Sequence, residues 1–392
     1  MRIRRCAIVL IEPHERFEFE LESLLEGGSG LRTERQWHAL AAHLDKPVAI
    51  DPADFPLLGD VSSQDWIDAE ELTPRGDSGR VADLIAKGLL ITDALDDATH
   101  RARDETVRAV HWHPYAATQQ AFGRWQGIDS GKQVSSIGIA SVNDLVSKLG
   151  TPPPHFHARA EKAHRLPLSV SEPSVLDEIL RRRSTCRNFD RSRELPFATF
   201  SRTMKCVFGA QAVHAVTDDV AIVKKTSPSA GGLHPTEAYL LIQNVEDIAS
   251  GLYHYHVGDH ALEVLRTLSA DEAHDLALSF LAQQDWFANA HAIVIFAPRF
   301  ERSFWKYRHH AKVYRAVTLD VGHLSQTLQL TATESGLGAF VTAAINEVDI
   351  ETALGLDAMR ESPLAIGGFG WRAQECVRME FDPQHAVWPA KP

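Results

Sequence analysis

Two stretches of this chain gather residue types that chemistry uses. In "RRRSTCRNF", Arg181, Arg182, Arg183 and Arg187 surround two hydroxyls, Ser184 and Thr185. Forked guanidinium donors with a short hydroxyl between them suit a dianionic phosphate. The same residues would also make an ordinary solvated helix end, its positive charge complementing the helix dipole. In "TSPSAGGLHPTEAYL", residues 226–240, the smallest side chains cluster just before an apolar strand. Small residues let a flat ligand lie close to a backbone whose N–H groups bond to it, although a plain loop entering a strand has the same composition. One amphipathic helix separates the two stretches, so a joint site for a phosphate and a ring is plausible. No GxGxxG follows a strand, which argues against a Rossmann dinucleotide site.

A third stretch, "ERSFWKYRHHAKVYR", holds the dipeptide Lys306-Tyr307 in a basic run. Adjacent residues on a helix do not share a face, so both can serve one site only at a loop or helix terminus. Three His-x-His triplets, His111/His113, His155/His157 and His254/His256, and the pair His309-His310 carry metal-ligating side chains. Spacing supplies no third ligand to any of them, and no metal is expected. Cys6, Cys186, Cys206 and Cys376 form no CxxC pair, which fits a reducing cytoplasm and signals neither a disulfide framework nor a thiolate zinc site.

The elements that must position these residues belong to a chain of 392 residues, 44% hydrophobic and 23% charged, with room for two domains. Its net charge of -12 disfavours general nucleic-acid binding, which needs a basic surface. The apolar run Cys6–Ile11 is too short for a signal peptide core and reads as a first strand, and no stretch has the length of a membrane span. "TPPPHFHARAEKAHRLPLSVSEPS" marks a semi-rigid connector. The composition divides the chain into an N-terminal α/β part (1–110), a helical and proline-rich connector (111–173) and a larger part (174–392). In the first, 33–44 and 62–72 have helical character, and 78–91 reads as a helix, Gly88 and a strand, the pattern of a winged-helix unit or of a small packing domain. The segment 105–125 reads as helical. In the larger part, Ser174 and Asp177 form a capping box, and Phe197, Phe200, Met204, Val207 and Phe208 share a helix face. Strands follow at "EAYLLIQNV", "GLYHYHV", "HALEVL" and "HAIVIFA", then a helix over 316–335 and two late strands. This order is α+β, a central mainly antiparallel sheet flanked by helices.

Taken together, "RSTCRNF", "PSAGGLHPTEAYL", "GLYHYHVGDHALEVL", "KYR…LDVGHLSQTLQLTATESGLGAF" and "PLAIGGFG" resemble, in order over 171–375, the FMN-dependent nitroreductase fold. Within that fold the chain looks most like the azoline dehydrogenases that mature thiazole- and oxazole-modified peptides. The resemblance implies FMN as cofactor and assigns its phosphate and ribityl chain to Arg183, Ser184, Thr185 and Arg187, with Arg372 as the late basic residue. It implies that Ser229, Gly231 and Gly232 lie along the flavin, that a backbone N–H at Ala343 or Ala344 faces flavin N5, and that Lys306 and Tyr307 are the catalytic pair. A tyrosinate or neutral lysine there would take the proton lost from an azoline carbon, with dioxygen reoxidising the flavin. The implied protein is a cytoplasmic homodimer whose partners are a precursor peptide and a cyclodehydratase, the N-terminal part engaging one of them. The competing expectations are an NAD(P)H-dependent reductase of nitro, quinone or enone compounds, and a non-catalytic partner-binding scaffold.

Overall fold

Thr236–Ile242 and Ala292–Pro298 are nearly continuous apolar runs because they form the middle of a six-stranded sheet, covered on both faces. The computed structural model describes residues 1–72, 78–95, 97–136, 138, 141–218 and 220–388. Within them the strand order is Ala261–Thr267, Gly251–His256, Thr236–Ile242, Ala292–Pro298, Ala365–Gly370 and Gly338–Thr342, every neighbouring pair antiparallel. One face packs against the helices Phe197–Val207 and Val313–Glu334, through Phe200, Met204, Val207, Leu324 and Leu328. The other packs against Ala270–Phe280, Asp285–Ala288 and Glu347–Leu354, through Phe280, Phe287 and Ile350. Gly367 explains part of "PLAIGGFG": a Cβ there would stand 2.8 Å from Leu328 of the long helix and 3.0 Å from Phe296. Only glycine lets that helix lie so close to the strand.

The α+β expectation holds, and so do the strands from 236 onward, the long helix and the capping box. Ser174 accepts from the Asp177 N–H at 3.3 Å while Asp177 accepts from the Ser174 N–H at 2.7 Å. Phe197 is the exception on its helix, being exposed at the first turn.

The N-terminal part differs from expectation. Residues 33–44 are not helical; Leu31–Ala41 is a strand paired along its whole length with Val9–Phe19, from Val9↔Ala41 to Phe19↔Leu31. Ala39 and Ala41 are buried at period two, and Arg35 lies across from Glu15 at 3.8 Å, so strand pairing outweighs local helix propensity. Residues 62–72 hold the short strand Ile67–Asp68 and a 3-10 turn at Ala69–Glu71, because Ile67–Asp68 pairs with Arg2–Arg5 while Arg4 covers the Trp66 ring at 4.4 Å. The first strand is split at Cys6–Ile8, where the Ala7 N–H turns to Asp104 at 2.6 Å and the chain passes from one small sheet to the other. Ser78–Ala86 is a helix and Leu90–Thr92 a strand, as expected. The helices Ala98–Ala109 and Pro114–Phe122 then pack into the larger part. Val107, Val110, Trp112 and Ala117 share one core with Phe300, Phe304, Val313 and Val317. The Trp112 indole donates to the Met359 carbonyl at 2.8 Å.

Candidate functional site

One end of the central sheet collects three segments from distant parts of the sequence. Thr236 pairs with Pro298, Phe296 with Ala365, and Thr342 with Ile366. The small-residue loop before Thr236, the helix Phe300–Lys306 after Pro298, and the turn Ala343-Ala344 after Thr342 therefore share that end.

The loop is pinned from beneath by the long helix. Ser229 Oγ donates to Asp320 Oδ2 at 2.5 Å, the Ala230 N–H donates to Asp320 Oδ1 at 3.2 Å, and Ser227 bonds to Thr327 at 2.8 Å. Ser229 also accepts the His234 N–H at 2.9 Å, closing the loop on itself. Gly231 and Gly232 are both left-handed, with φ of 64° and 69°. A Cβ on Gly231 would stand 2.5 Å from Tyr307 Oη and 3.0 Å from Lys306 Nζ, whereas one on Gly232 would meet nothing within 4 Å. The loop thus presses one glycine against the Lys-Tyr pair and turns the other toward open space. Lys306 closes its helix and Tyr307 is the C-cap residue, with φ −117° and ψ 51°. That terminus satisfies the condition for two adjacent residues to reach one place; Lys306 Nζ lies 5.3 Å from the Tyr307 ring centre.

Beside the pair lies an open cleft of about 770 Å³, walled by Val220, Ile222, Gly232, Arg302, Trp305 and Lys306. Val220 and Ile222 come from the hairpin Ala212–Thr217/Val220–Lys224, an element not expected from the sequence. Its alternation of small and apolar residues is a strand signal diluted by exposure on both faces.

The floor of the loop is rich in charge that the motifs do not announce. Burial pushes the Lys225 ammonium down from its ordinary value and, with Lys225 beside it, pushes His234 down to about 4, so this histidine is neutral. Burial raises Asp320, against the bonds from Ser229 and Ala230. Burial alone would raise Glu237, but the His254 bond and the Arg299 guanidinium, 2.8 Å away, hold it below its usual range. A signal for Asp320 does exist in the sequence: an acid between Val317, Val321 and Leu324 on a core-facing stripe needs a partner. Of the His-x-His members, His111 lines the cleft itself, and His254 lies between Glu237 at 3.4 Å and Glu263 at 2.6 Å.

The arginine-hydroxyl cluster sits at the other end of the edge strand. Thr185 bridges Ala339, three residues or about 10 Å along the strand from Thr342. Ser184, Cys186 and Asn188 are buried, while Arg183, Thr185 and Arg187 alternate with them and are partly exposed. Arg372 reaches this cluster, donating to Ser184 Oγ at 3.2 Å and pairing with Glu380. At the turn, Ala343 is exposed, while the Ala344 N–H is taken by Thr342 Oγ1 at 3.2 Å and its carbonyl by Gln284 at 2.7 Å. The structure thus gathers Gly231, Gly232, Lys306 and Tyr307 beside the ends of the two central strands, and Ser184, Thr185, Arg187 and Arg372 in a second place, where Thr185 bridges Ala339 of the edge strand.

Residues 180–371 match the model of the nitroreductase family. Over 200 residues the chain is 31% identical to MJ1384 of Methanocaldococcus jannaschii, named for the nitroreductases, covering 50% of this chain and 90% of that protein. The chain belongs to the nitroreductase family. Two further relatives are named for peptide processing. The trifolitoxin-processing protein TfxB of Rhizobium leguminosarum is 31% identical over 149 residues, 36% of this chain. The microcin B17-processing protein McbC of Escherichia coli is 28% identical over 156 residues, 39% of this chain. The chain spans 38% of the length of TfxB and 56% of that of McbC. As a nitroreductase-family protein it is an oxidoreductase of α+β fold, with a small N-terminal part ahead of the family domain. No helix among the described residues is long and apolar enough to cross a membrane.

Proposed function

We propose that this chain is an FMN-dependent azoline dehydrogenase, oxidising thiazoline or oxazoline rings of a ribosomally made peptide to the aromatic azoles. The observation that carries the reading is the contact of Gly231 with Lys306 and Tyr307 at the mouth of the cleft. It joins the loop suited to a flat ring with a residue pair suited to proton abstraction. The names of TfxB and McbC supply the peptide class.

The residues present fit FMN on two counts. Gly232 presents a left-handed backbone to open space, and neither Arg183 nor Arg187 has a carboxylate partner among the described residues. Arg183, Thr185 and Arg187 would hold the phosphate, and Ser229, Gly231, Gly232, Ala343 and Ala344 would line the ring. When bound, FMN supplies the acceptor for the hydride equivalent that an azoline gives up. The chain's own residues supply the rest. Tyr307 Oη or Lys306 Nζ takes the proton from the azoline carbon. Asp320 fixes the loop through Ser229, so the pair and the loop keep one geometry. Trp305, Val220 and Ile222 offer the substrate an apolar wall, and a cleft of about 770 Å³ falls in the range of small-ligand sites.

Two further assignments belong to this reading. A homodimer would cover the helix Val175–Arg182, which exposes Val175, Leu176 and Leu180. The N-terminal part would engage the precursor's leader or a cyclodehydratase through the tip of its long hairpin, where Phe17, Phe19, Leu25 and Leu31 are exposed. Phe17→Ser with Phe19→Ser should then impair processing of the full precursor and spare a small azoline; equal loss on both would remove that role.

The test of the function is anaerobic. FMN-loaded protein mixed with an azoline peptide should lose its visible flavin absorbance as azole appears. Rapid bleaching by NAD(P)H with none by the azoline would favour the second reading, an NAD(P)H-dependent reductase of nitro, quinone or enone compounds. The likeness to MJ1384 is the observation behind that reading.

A further inference from the structure

The helix Phe300–Lys306 offers three side chains to the cleft, Arg302, Trp305 and Lys306, which stand at i, i+3 and i+4 and so share one face. Trp305 and Lys306 are exposed, while Arg302 is half-buried. The Arg302 Nε donates to the Leu233 carbonyl, just past the two glycines of the loop. Among the described residues no group accepts from its Nη1 or Nη2, and no carboxylate pairs with it. A guanidinium held in this way presents its Nη edge, whose parallel N–H donors match the two oxygens of a carboxylate.

The other charges of the cleft are already engaged. Arg299 pairs with Glu237 at 2.8 Å, and Glu301 with Arg360 at 3.1 Å. Burial and the Arg308 guanidinium push His111 below its ordinary value, so it is neutral and adds no charge. Lys306 belongs to the pair that takes the proton. Arg302 is left as a cation without a counter-anion, and burial with Arg299 beside it pushes its guanidinium below the usual value. An anion brought there meets a charge that water compensates poorly. Its place is set by the helix. Residues three or four apart lie about 5–6 Å from each other, and an extended peptide advances about 3.3 Å per residue. A carboxylate at Arg302, with the ring at Lys306 and Tyr307, therefore lies one or two residues from that ring in the same peptide.

We infer that Arg302 determines specificity in the cleft by taking a carboxylate of the peptide substrate, carried one or two residues from the azoline by an Asp, a Glu or the peptide's own C-terminus. The inference rests on the azoline reading above and adds to it the charge of the substrate. Arg302 holds this anion alike before and during the reaction, so its contribution falls on KM and not on kcat.

The test gives FMN-loaded full-length protein two matched pairs of azoline peptides. One pair carries Asp or Asn beside the ring and is amidated at its C-terminus; the other ends just after the ring in a free carboxylate or its amide. Wild-type protein should favour the carboxylate member of at least one pair about 10- to 100-fold in KM, the weight of a charge-assisted contact, with kcat alike. Which pair responds tells a side chain from a terminus. Arg302→Gln should erase the preference, and Arg302→Glu should turn it toward a peptide with Lys in the place of Asp. Equal KM within both pairs for the unaltered chain would overturn the inference without any variant having to fold, and would leave the azoline reading standing. A preference that survives Arg302→Gln would overturn it too. So would loss of flavin from Arg302→Gln, which would give the guanidinium to the cofactor. Bleaching by NADPH that needs Arg302, with none by any azoline, would give the site to a nucleotide phosphate and remove both readings.

Discussion

Gly231→Ala is the sharpest test of the site, because its neighbour Gly232 provides an internal control. Both residues are left-handed, so an alanine at either costs about 1 kcal/mol of backbone strain. They differ in what the new methyl meets. At Gly231 it would stand 2.5 Å from Tyr307 Oη, and the phenol must retreat by about 0.9 Å to reach the 3.4 Å at which ordinary contact begins. At Gly232 it enters open space, where the ring would lie. A displacement near 1 Å at a reacting group lowers a rate on the order of 100-fold. Gly231→Ala should therefore keep its flavin and lose azole formation by about that factor in a single-turnover bleaching assay. Gly232→Ala should show the reverse, with flavin affinity down about tenfold or more and the rate of the flavin-loaded fraction little changed. The flavin to protein absorbance ratio reads the first quantity and anaerobic bleaching the second. Equal behaviour of the two variants, or loss of flavin rather than rate from Gly231→Ala, would refute the placement of the pair against the loop.

Tyr307→Phe and Lys306→Ala should each leave FMN bound and slow azole formation by about 10²- to 10⁴-fold, the usual range for a lost general base; unchanged rates in both would take the pair out of the mechanism. Trp112→Ala removes a buried ring packed 4.6 Å from Phe304 and 4.8 Å from Phe300, and should cost about 3–5 kcal/mol in urea unfolding. Because those two phenylalanines carry the helix that ends in Lys306, the surviving folded protein should also react more slowly. Burial raises Glu347 to about 7 from an ordinary 4.5, so the folded state holds a proton there that the unfolded chain has released. Stability should then fall as pH rises from about 4.5 to 7, by about 3 kcal/mol, and Glu347→Gln should flatten that decline in urea midpoints measured across the window.

The sheet was legible because its central strands are buried on both faces: "EAYLLI" and "HAIVIFA" are apolar runs bounded by loop residues, and no other element could bury them. Residues 33–44 mislead for the opposite reason. "QWHALAAHL" satisfies a helical period and an alternating one equally, and what decides between them is an eleven-residue partner strand that begins at Val9. The same distinction runs through the site. Each motif announced its own chemistry, but that Gly231 touches Tyr307 depends on which strands meet at one end of the sheet, a property of topology.

Glu380 marks the limit of local reading most clearly. Among 52 acidic residues nothing in its neighbourhood in the sequence sets it apart, since Met379 and Phe381 on either side are exposed. Its role appears only when Arg187 and Asn188, nearly 200 residues earlier, return their N–H groups to it. In an extended segment every second side chain faces inward, and in "RSTCR" the buried members are Ser184 and Cys186, while Arg183, Thr185 and Arg187 stay partly exposed.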